Sequence, residues 1–350
     1  SNRWITKEDI MNSVNKQKRT EQDCPNTMKL EFTEGCPLMC KFCGIHGIHT
    51  KPGMYKHMTI ITASKLAKQI RDSGWKTIPK LEIAMRGEPT MNPEYIKLVA
   101  TFRKYLPTTT IMLTTNGVGL LLGNGALKNT TALMNAGLNI LAVDYYNHVS
   151  YAGRVLEEIK DKYLIQHYPQ DKSASPYRRC KPNEQAIVVI SDISTEGGKN
   201  GRTRRMTNQC GCAFPLDFSF IQRRCTRPFR EMTVWYDGRV PMCCQDWRGV
   251  YRIGNINDIP LKELWQNERF EAARKVLYHR GRLFKPCYGC DVMMFRVGLL
   301  PDKTGQQEMP KPKTKDYELI DKILAEGPFM EPVLREWEKK PVGIRGMLGQ

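Results

Sequence analysis

From Met28 onward the chain alternates between short apolar runs and longer segments whose apolar residues recur every three or four positions. The runs Met28–Thr33, Lys80–Met85, Thr110–Thr115, Asn139–Asp144 and Ala186–Ser191 predict strands, being short and rich in β-branched residues. The segments Ala63–Asp72, Pro93–Tyr105, Ala126–Asn135 and Ser150–Lys162 predict helices, with pairs such as Leu66 and Ile70 one turn apart. Strand and helix in alternation predict a parallel α/β sheet. A basic, glycine-bearing stretch, Glu196–Arg205, interrupts the pattern and reads as a linker. Beyond it, Thr233–Met242 reads as two strands around an Asp237-Gly238 turn, and Leu261–Val276 as one amphipathic helix. After Leu300 the chain is rich in Lys, Pro and Glu, with one short helical pattern over Tyr317–Ala325. The expected division is an N-terminal extension (1–24), a large α/β domain (25–195), a linker (196–221), a small hairpin and helix domain (222–300) and a C-terminal extension (301–350).

Composition narrows the class. With 350 residues, 41% of them hydrophobic, the chain can bury a sizeable core. Ser1–Gln22 has no apolar segment of the signal-peptide kind, and no run of about eighteen apolar residues occurs, so the expected location is cytoplasmic with no membrane partner. Ser1-Asn2 reads as a tag-removal scar. Twelve cysteines in such a chain favour metal ligation over disulfides. The net charge of +18 favours an anionic partner: nucleic acid, a phosphorylated small molecule or an acidic peptide. Its Lys and Arg crowd into Lys199–Arg205, Arg223–Arg230 and Arg274–Lys285.

Cys36, Cys40 and Cys43 follow the first predicted strand in Gly35-Cys36-Pro37-Leu38-Met39-Cys40-Lys41-Phe42-Cys43. Three thiolates at this spacing can hold three irons of a cubane [4Fe-4S] cluster and leave the fourth iron open to an amino acid's amino and carboxylate groups. A zinc ion borrowing His46 or His49 is the competing use of the same residues. A second group, Cys225, Cys243, Cys287 and Cys290, can close a cluster completely or hold tetrahedral zinc. Cys244 competes with Cys243 for that position, Cys210 and Cys212 form an unassigned CxC pair, and Cys24 and Cys180 read as ordinary thiols.

The CxxxCxxC spacing after a strand, with Phe42 before the last cysteine, resembles the radical SAM superfamily. Gly87-Glu88-Pro89 resembles its GGEP motif with Arg86 in place of the first glycine, and Thr114-Thr115-Asn116-Gly117 resembles its TNG segment. The second cysteine group, with its hairpin and helix, resembles the one-cluster twitch form of the family's SPASM-like domains. The resemblance spans about residues 28–295. It implies a partial (β/α)6 barrel, a SAM-binding [4Fe-4S] cluster on Cys36, Cys40 and Cys43, an auxiliary [4Fe-4S] cluster on Cys225, Cys243, Cys287 and Cys290, and S-adenosylmethionine held by Phe42, Gly87, Glu88, Pro89, Thr115, Asn116, Asp144 and Ser191.

The function it implies is reductive cleavage of SAM to a 5′-deoxyadenosyl radical that takes a substrate hydrogen, with flavodoxin or ferredoxin as electron donor. Asp246 is the candidate proton acceptor, with an exposed surface aspartate as the alternative. For substrate, Arg202, Arg204, Arg205, Arg223, Arg224, Arg227 and Arg230 are expected to face a phosphate backbone and present a nucleobase or its modified side chain. A peptide maturase is disfavoured by the short stretch before the first strand, with no leader-binding domain expected there. An aminocyclitol or sugar dehydrogenase is a third option, and a zinc-stabilised nucleic-acid-binding protein is the non-enzymatic one.

Overall fold

The computed structural model describes residues 24–292 except 39, 41–42, 49, 147–150, 194–206, 214–224, 280–281, 283 and 288–289. Strands β1 (Thr27–Leu30), β2 (Thr33–Glu34) and β3 (Lys56–His57) lead into helix α1 (Ile60–Arg71). Then come β4 (Lys80–Ile83), α2 (Tyr95–Tyr105), β5 (Ile111–Thr115), α3 (Ala126–Asn135), β6 (Ile140–Tyr146), α4 (Tyr151–Ile159), β7 (Ile165–Tyr168) and β8 (Ala186–Ile193). The C-terminal part supplies β9 (Glu231–Val234), β10 (Arg239–Pro241), β11 (Arg252–Asn255), α5 (Leu261–Trp265) and α6 (Glu268–His279).

Among the described residues the main sheet has seven strands in the order β7-β8-β6-β5-β4-β1-β9, and every pairing is parallel. One face of the inner strands is apolar and packs with the helices, through Leu81, Ile83, Ile111, Leu113, Leu141 and Val143, while the other face buries Met112, Ile140 and Ala142 beside the charged Lys80 and Glu82. The helices bury one stripe each, through Leu66 and Ile70, Leu98 and Phe102, Leu133, and Val155 and Ile159. Thr59 starts α1 by accepting the Thr62 amide at 3.1 Å. Among the described residues no helix is long and apolar enough to cross a membrane.

Three expectations are corrected. The first strand of the second domain, β9, does not pair with β10. It joins the barrel sheet beside β1, in register from Thr27 with Glu231 to Leu30 with Val234. The antiparallel hairpin is β10 with β11, Val240 opposite Gly254, so no clean break separates the two parts of the chain. The single helix over 261–276 is two, because the Asn267 side chain accepts the Arg269 amide at 2.8 Å and starts a new helix. Finally, the described arginines of the basic stretches do not face outward. Arg227 (6% exposed) pairs with Glu231 at 3.0 Å, and Arg230 is equally buried. Arg274 donates to the carbonyls of Pro228 and Trp265, and Arg282 to those of Cys290 and Val292. Arg202, Arg204, Arg205, Arg223 and Arg224 lie outside the described residues, as do both extensions apart from Cys24.

Candidate active site and auxiliary metal site

The C-terminal ends of β1, β4, β5 and β6 converge on one cavity, as ligand-binding groups do in parallel β/α folds. Its lining includes Cys36, Cys40 and Cys43 on one side and Glu88, Thr115, Asn116 and Asp144 on another. The two sides are joined by backbone: the Gly35 amide donates to the Arg86 carbonyl and the Glu88 amide to the Gly35 carbonyl, both at 3.0 Å. This contact requires glycine at 87, where a Cβ would lie 2.4 Å from the carbonyl oxygens of Thr33 and Gly35. Gly35 itself has φ +117, a region glycine adopts freely, and turns the chain into the cysteine loop.

Glu88 is buried at the centre. One oxygen accepts from the Thr90 amide (3.1 Å), the Thr90 hydroxyl (2.6 Å) and the Thr115 hydroxyl (2.6 Å), and the other, among the described residues, accepts only the Asn116 amide (2.8 Å). Burial pushes its carboxyl up despite these donors, so a cation brought to the less occupied oxygen is compensated strongly. Pro89 opens the short 3-10 turn that presents the Thr90 amide. Asn116 also donates to the Cys36 sulfur at 3.3 Å, linking the carboxylate to the thiols.

At the β6 end Tyr146 donates to Asp144 at 3.2 Å, and both line the cavity. Burial drives the Tyr146 phenol well up, with Asp144 adding to it.

Arg86 occupies the place of a glycine and is only 4% exposed. It pairs with Glu31 (2.7 and 2.8 Å) and Glu34 (2.8 Å), and donates to the Trp247 carbonyl at 3.1 Å. The substituted position thus fastens the β4 end to the C-terminal part of the chain. Its neighbour Met85 also has φ +96 and lines the cavity.

The cysteines of the second group lie within electrostatic reach of one another. Cys225 interacts electrostatically with Cys290, Cys243 with Cys225, and Cys287 with both Cys225 and Cys290. Cys244 points elsewhere: its sulfur accepts from Arg227 at 3.1 Å and lies 3.6 Å from Glu231, which leaves Cys243 facing the group. A hydrogen bond from Cys243, and then the Arg227 charge, pull the Cys244 thiol down.

Both thiol sites fit iron–sulfur clusters. Burial drives Cys36, Cys43 and Cys287 upward, Cys43 to about 12, so thiolates there need compensating metal charge. Among the described residues no three His, Cys, Asp or Glu side chains close on a single ion. The three N-terminal thiols instead wall a cavity.

A turn missed in the sequence joins the two sites. Gln209, Cys210 and Gly211 have φ of 43, 51 and 87, and the Asn208 carbonyl accepts the amides of Gly211, Cys212 and Ala213. Gln209 lines the cavity, Cys212 packs with Ile45 and Trp247 beside Cys43, and Cys210 hydrogen-bonds Cys290. The CxC spacing was the only signal of it.

Two assigned residues lie differently. Ser191 does not line the cavity; its hydroxyl donates to Gln170 at 2.9 Å and the Tyr168 carbonyl. Asp246 is 1% exposed, and its oxygens accept the Val250 and Tyr251 amides at 2.9 and 2.8 Å, so it shapes a turn and is not a surface carboxylate. Phe42, His49 and the His46 side chain lie outside what is described.

Residues 30–146 match the Radical SAM superfamily, and residues 225–291 match SPASM, an iron-sulfur cluster-binding domain. The GTP 3',8-cyclase of Alkaliphilus metalliredigens (strain QYMF) is 29% identical over 150 residues, 41% of this chain and 45% of that protein, so the chain spans less than half of that relative's length. Among solved structures, BtrN in complex with AdoMet and 2-DOIA aligns with a TM-score of 0.56 at 18% identity, covering 77% of this chain and 94% of that one. BtrN in an open conformation aligns at 0.51 and 16%, covering 77% and 93%. Fold, cysteine sites and sequence matches together establish that the chain belongs to the radical SAM superfamily, as an enzyme with a SAM-binding [4Fe-4S] cluster and a C-terminal SPASM auxiliary iron–sulfur cluster.

Proposed function

We propose that the enzyme oxidises an anionic substrate held between the barrel's C-terminal edge and the 207–213 turn, by hydrogen abstraction followed by loss of an electron. The observation that carries this reading is the turn itself, which touches Cys43 of one thiol site through Cys212 and Cys290 of the other through Cys210. When bound, the clusters and SAM supply one-electron reduction of the sulfonium, abstraction of hydrogen from carbon, and a second redox centre beside the substrate.

The chain's own residues bind and orient. In this reading Cys36, Cys40 and Cys43 hold the first cluster and Cys225, Cys243, Cys287 and Cys290 the second. The less occupied Glu88 oxygen receives the methionyl ammonium, Gly87, Pro89, Thr115 and Asn116 fix that carboxylate, and Asp144 with Tyr146 receives hydroxyl groups. Phe42, which precedes Cys43 in the sequence, belongs to the same cofactor-binding set. Gln209, nine-tenths buried with its carbonyl oxygen unpaired among the described residues, accepts a hydrogen bond from whatever enters. A flavodoxin- or ferredoxin-like protein supplies the electron.

An anionic substrate is supported by the net charge of +18. Its nucleic-acid form, with a nucleobase as target, has that charge alone behind it, because Arg227, Arg230, Arg274 and Arg282 are buried. A second reading, dehydrogenation of an aminocyclitol or sugar, is favoured by the Asp144–Tyr146 pair in the cavity, which can receive hydroxyl groups. Anaerobic turnover with dithionite tests the core of the proposal: 5′-deoxyadenosine forms with wild type and not with Cys36→Ala, and its formation by both would overturn it. Filter binding of RNA and DNA separates the substrates. A steep loss of affinity with salt supports nucleic acid, and flat, weak binding supports the small molecule.

A further inference from the structure

The auxiliary site holds one thiol more than a four-sulfur cluster needs. Cys210 hydrogen-bonds Cys290 and interacts electrostatically with Cys287 and Cys243. The chain reaches this position at a backbone cost. Gln209 and Cys210 are both left-handed non-glycine residues, a conformation that costs on the order of 1 kcal/mol or more each and persists only where surrounding structure enforces it.

The enforcement is visible. The Asn208 amide donates to the Asp291 carboxylate at 2.8 Å, so the turn is pinned to the residue that follows Cys290. The Asn208 carbonyl accepts three amides from beyond Cys210, and Thr207 donates to Gln245 at 2.7 Å, two residues past Cys243. Each fastening draws Cys210 toward a cysteine of the auxiliary set.

We infer that Cys210 is an exchangeable fifth sulfur ligand of the auxiliary cluster, able to replace Cys290 on the iron that Cys290 holds. The inference rests on the assignment of Cys225, Cys243, Cys287 and Cys290 as the resident ligands. The exchange is redox-neutral: the Cys210–iron bond forms as the Cys290–iron bond breaks, and the Cys210 thiol proton passes to the departing Cys290 sulfur along the hydrogen bond that joins them. No oxidant or added group is needed. Because Cys212 of the same turn packs beside Cys43, movement at Cys210 is felt at the SAM site.

The test uses the full chain, reconstituted anaerobically, with Cys36, Cys40 and Cys43 changed to alanine so that only auxiliary iron is read. This parent should carry about four irons with the broad cluster absorption; an iron-free parent would sink the ligand assignment, a different result from failure of the exchange. In that parent Cys290→Ala and Cys210→Ala should each keep about four irons with no iron open to an added ligand, whereas the double variant, left with three thiols, should lose iron or keep a cluster whose reduced EPR spectrum shifts on addition of cyanide. A Cys290→Ala protein with a native circular dichroism spectrum that loses iron, or whose EPR spectrum shifts with cyanide, as the double variant does, overturns the proposal. If Cys290→Ala does not fold, Cys290→Val is read by the same criterion. Loss of fold in both also counts against it, because a substitute ligand would hold the domain together.

Discussion

The Arg86 guanidinium stacks on Trp235, its central carbon 3.5 Å from the ring centre, while Arg239 covers the same ring at 4.9 Å. Arg86 stands at the end of β4 and Trp235 just past β9, so the contact locks the Gly87–Glu88 corner to the start of the SPASM region. Glu31 and Glu34 are both buried against Arg86; Glu34 also pairs with Lys56 at 2.7 Å, so without Arg86 it is the Glu31 carboxylate that is left buried with no cation. Arg86→Ala is therefore expected to lose about 3–5 kcal/mol in denaturant unfolding. Arg86→Lys should recover only part, since an ammonium cannot pair bidentately and stack at once.

Gly87→Ala is expected to break the contact between Gly35 and Gly87, because the obstructing atoms are backbone and cannot swing away. Iron at the three-cysteine site and 5′-deoxyadenosine yield should both drop by about tenfold or more. Gly53→Ala is a fair comparison. Its φ is +87 and its surroundings are open, so only folding stability should change, by about 1 kcal/mol.

Glu88→Gln replaces the oxygen that accepts three donors, or its partner, with an amide nitrogen that must face a donor. Equilibrium dialysis should show SAM affinity reduced by about 10- to 100-fold with the iron content of the protein unchanged. An unaltered affinity would remove Glu88 from the ammonium site.

Much of this corner was legible in the sequence. The strand ends carrying Cys36, Gly87 and Thr115 follow from apolar runs that stop where polar motifs begin. What local pattern could not convey was pairing and conformation. Thr233–Met242 reads as a hairpin because Asp237-Gly238 is a turn signal, yet the observed first strand, Glu231–Val234, has its partner some two hundred positions earlier. The presentation of Cys210 depends on left-handed backbone at residues that do not favour it. Nor does an arginine-rich stretch show which arginines are drawn inward by a glutamate one turn away, as Arg227 is by Glu231.

Asp246→Ala should lose about 2–4 kcal/mol by leaving the Val250 and Tyr251 amides unpaired. Burial pushes this carboxyl up from 3.8 to about 6, so the native protein retains a proton that the unfolded chain releases. That contribution to stability is complete below about pH 4 and is lost as pH rises through about 6. Urea unfolding of Asp246→Asn across this range should show a flatter pH dependence than wild type.

Cys225→Ala is expected to lower iron from about eight to about four per chain while 5′-deoxyadenosine is still formed. The readout is iron and sulfide analysis beside nucleoside chromatography. Loss of both clusters together would show that the two thiol sites assemble as one unit.

The parallel ladder between Thr27–Leu30 and Glu231–Val234 means that the SPASM region is not a detachable cartridge. A fragment ending before Glu231 would expose the amides and carbonyls of the first strand as a naked sheet margin, prone to stick to other chains. Grafting this region onto a foreign barrel would likewise fail unless the recipient offered a vacant margin of the same direction. Evolutionary exchange of this region among barrels must therefore carry the marginal strand with it.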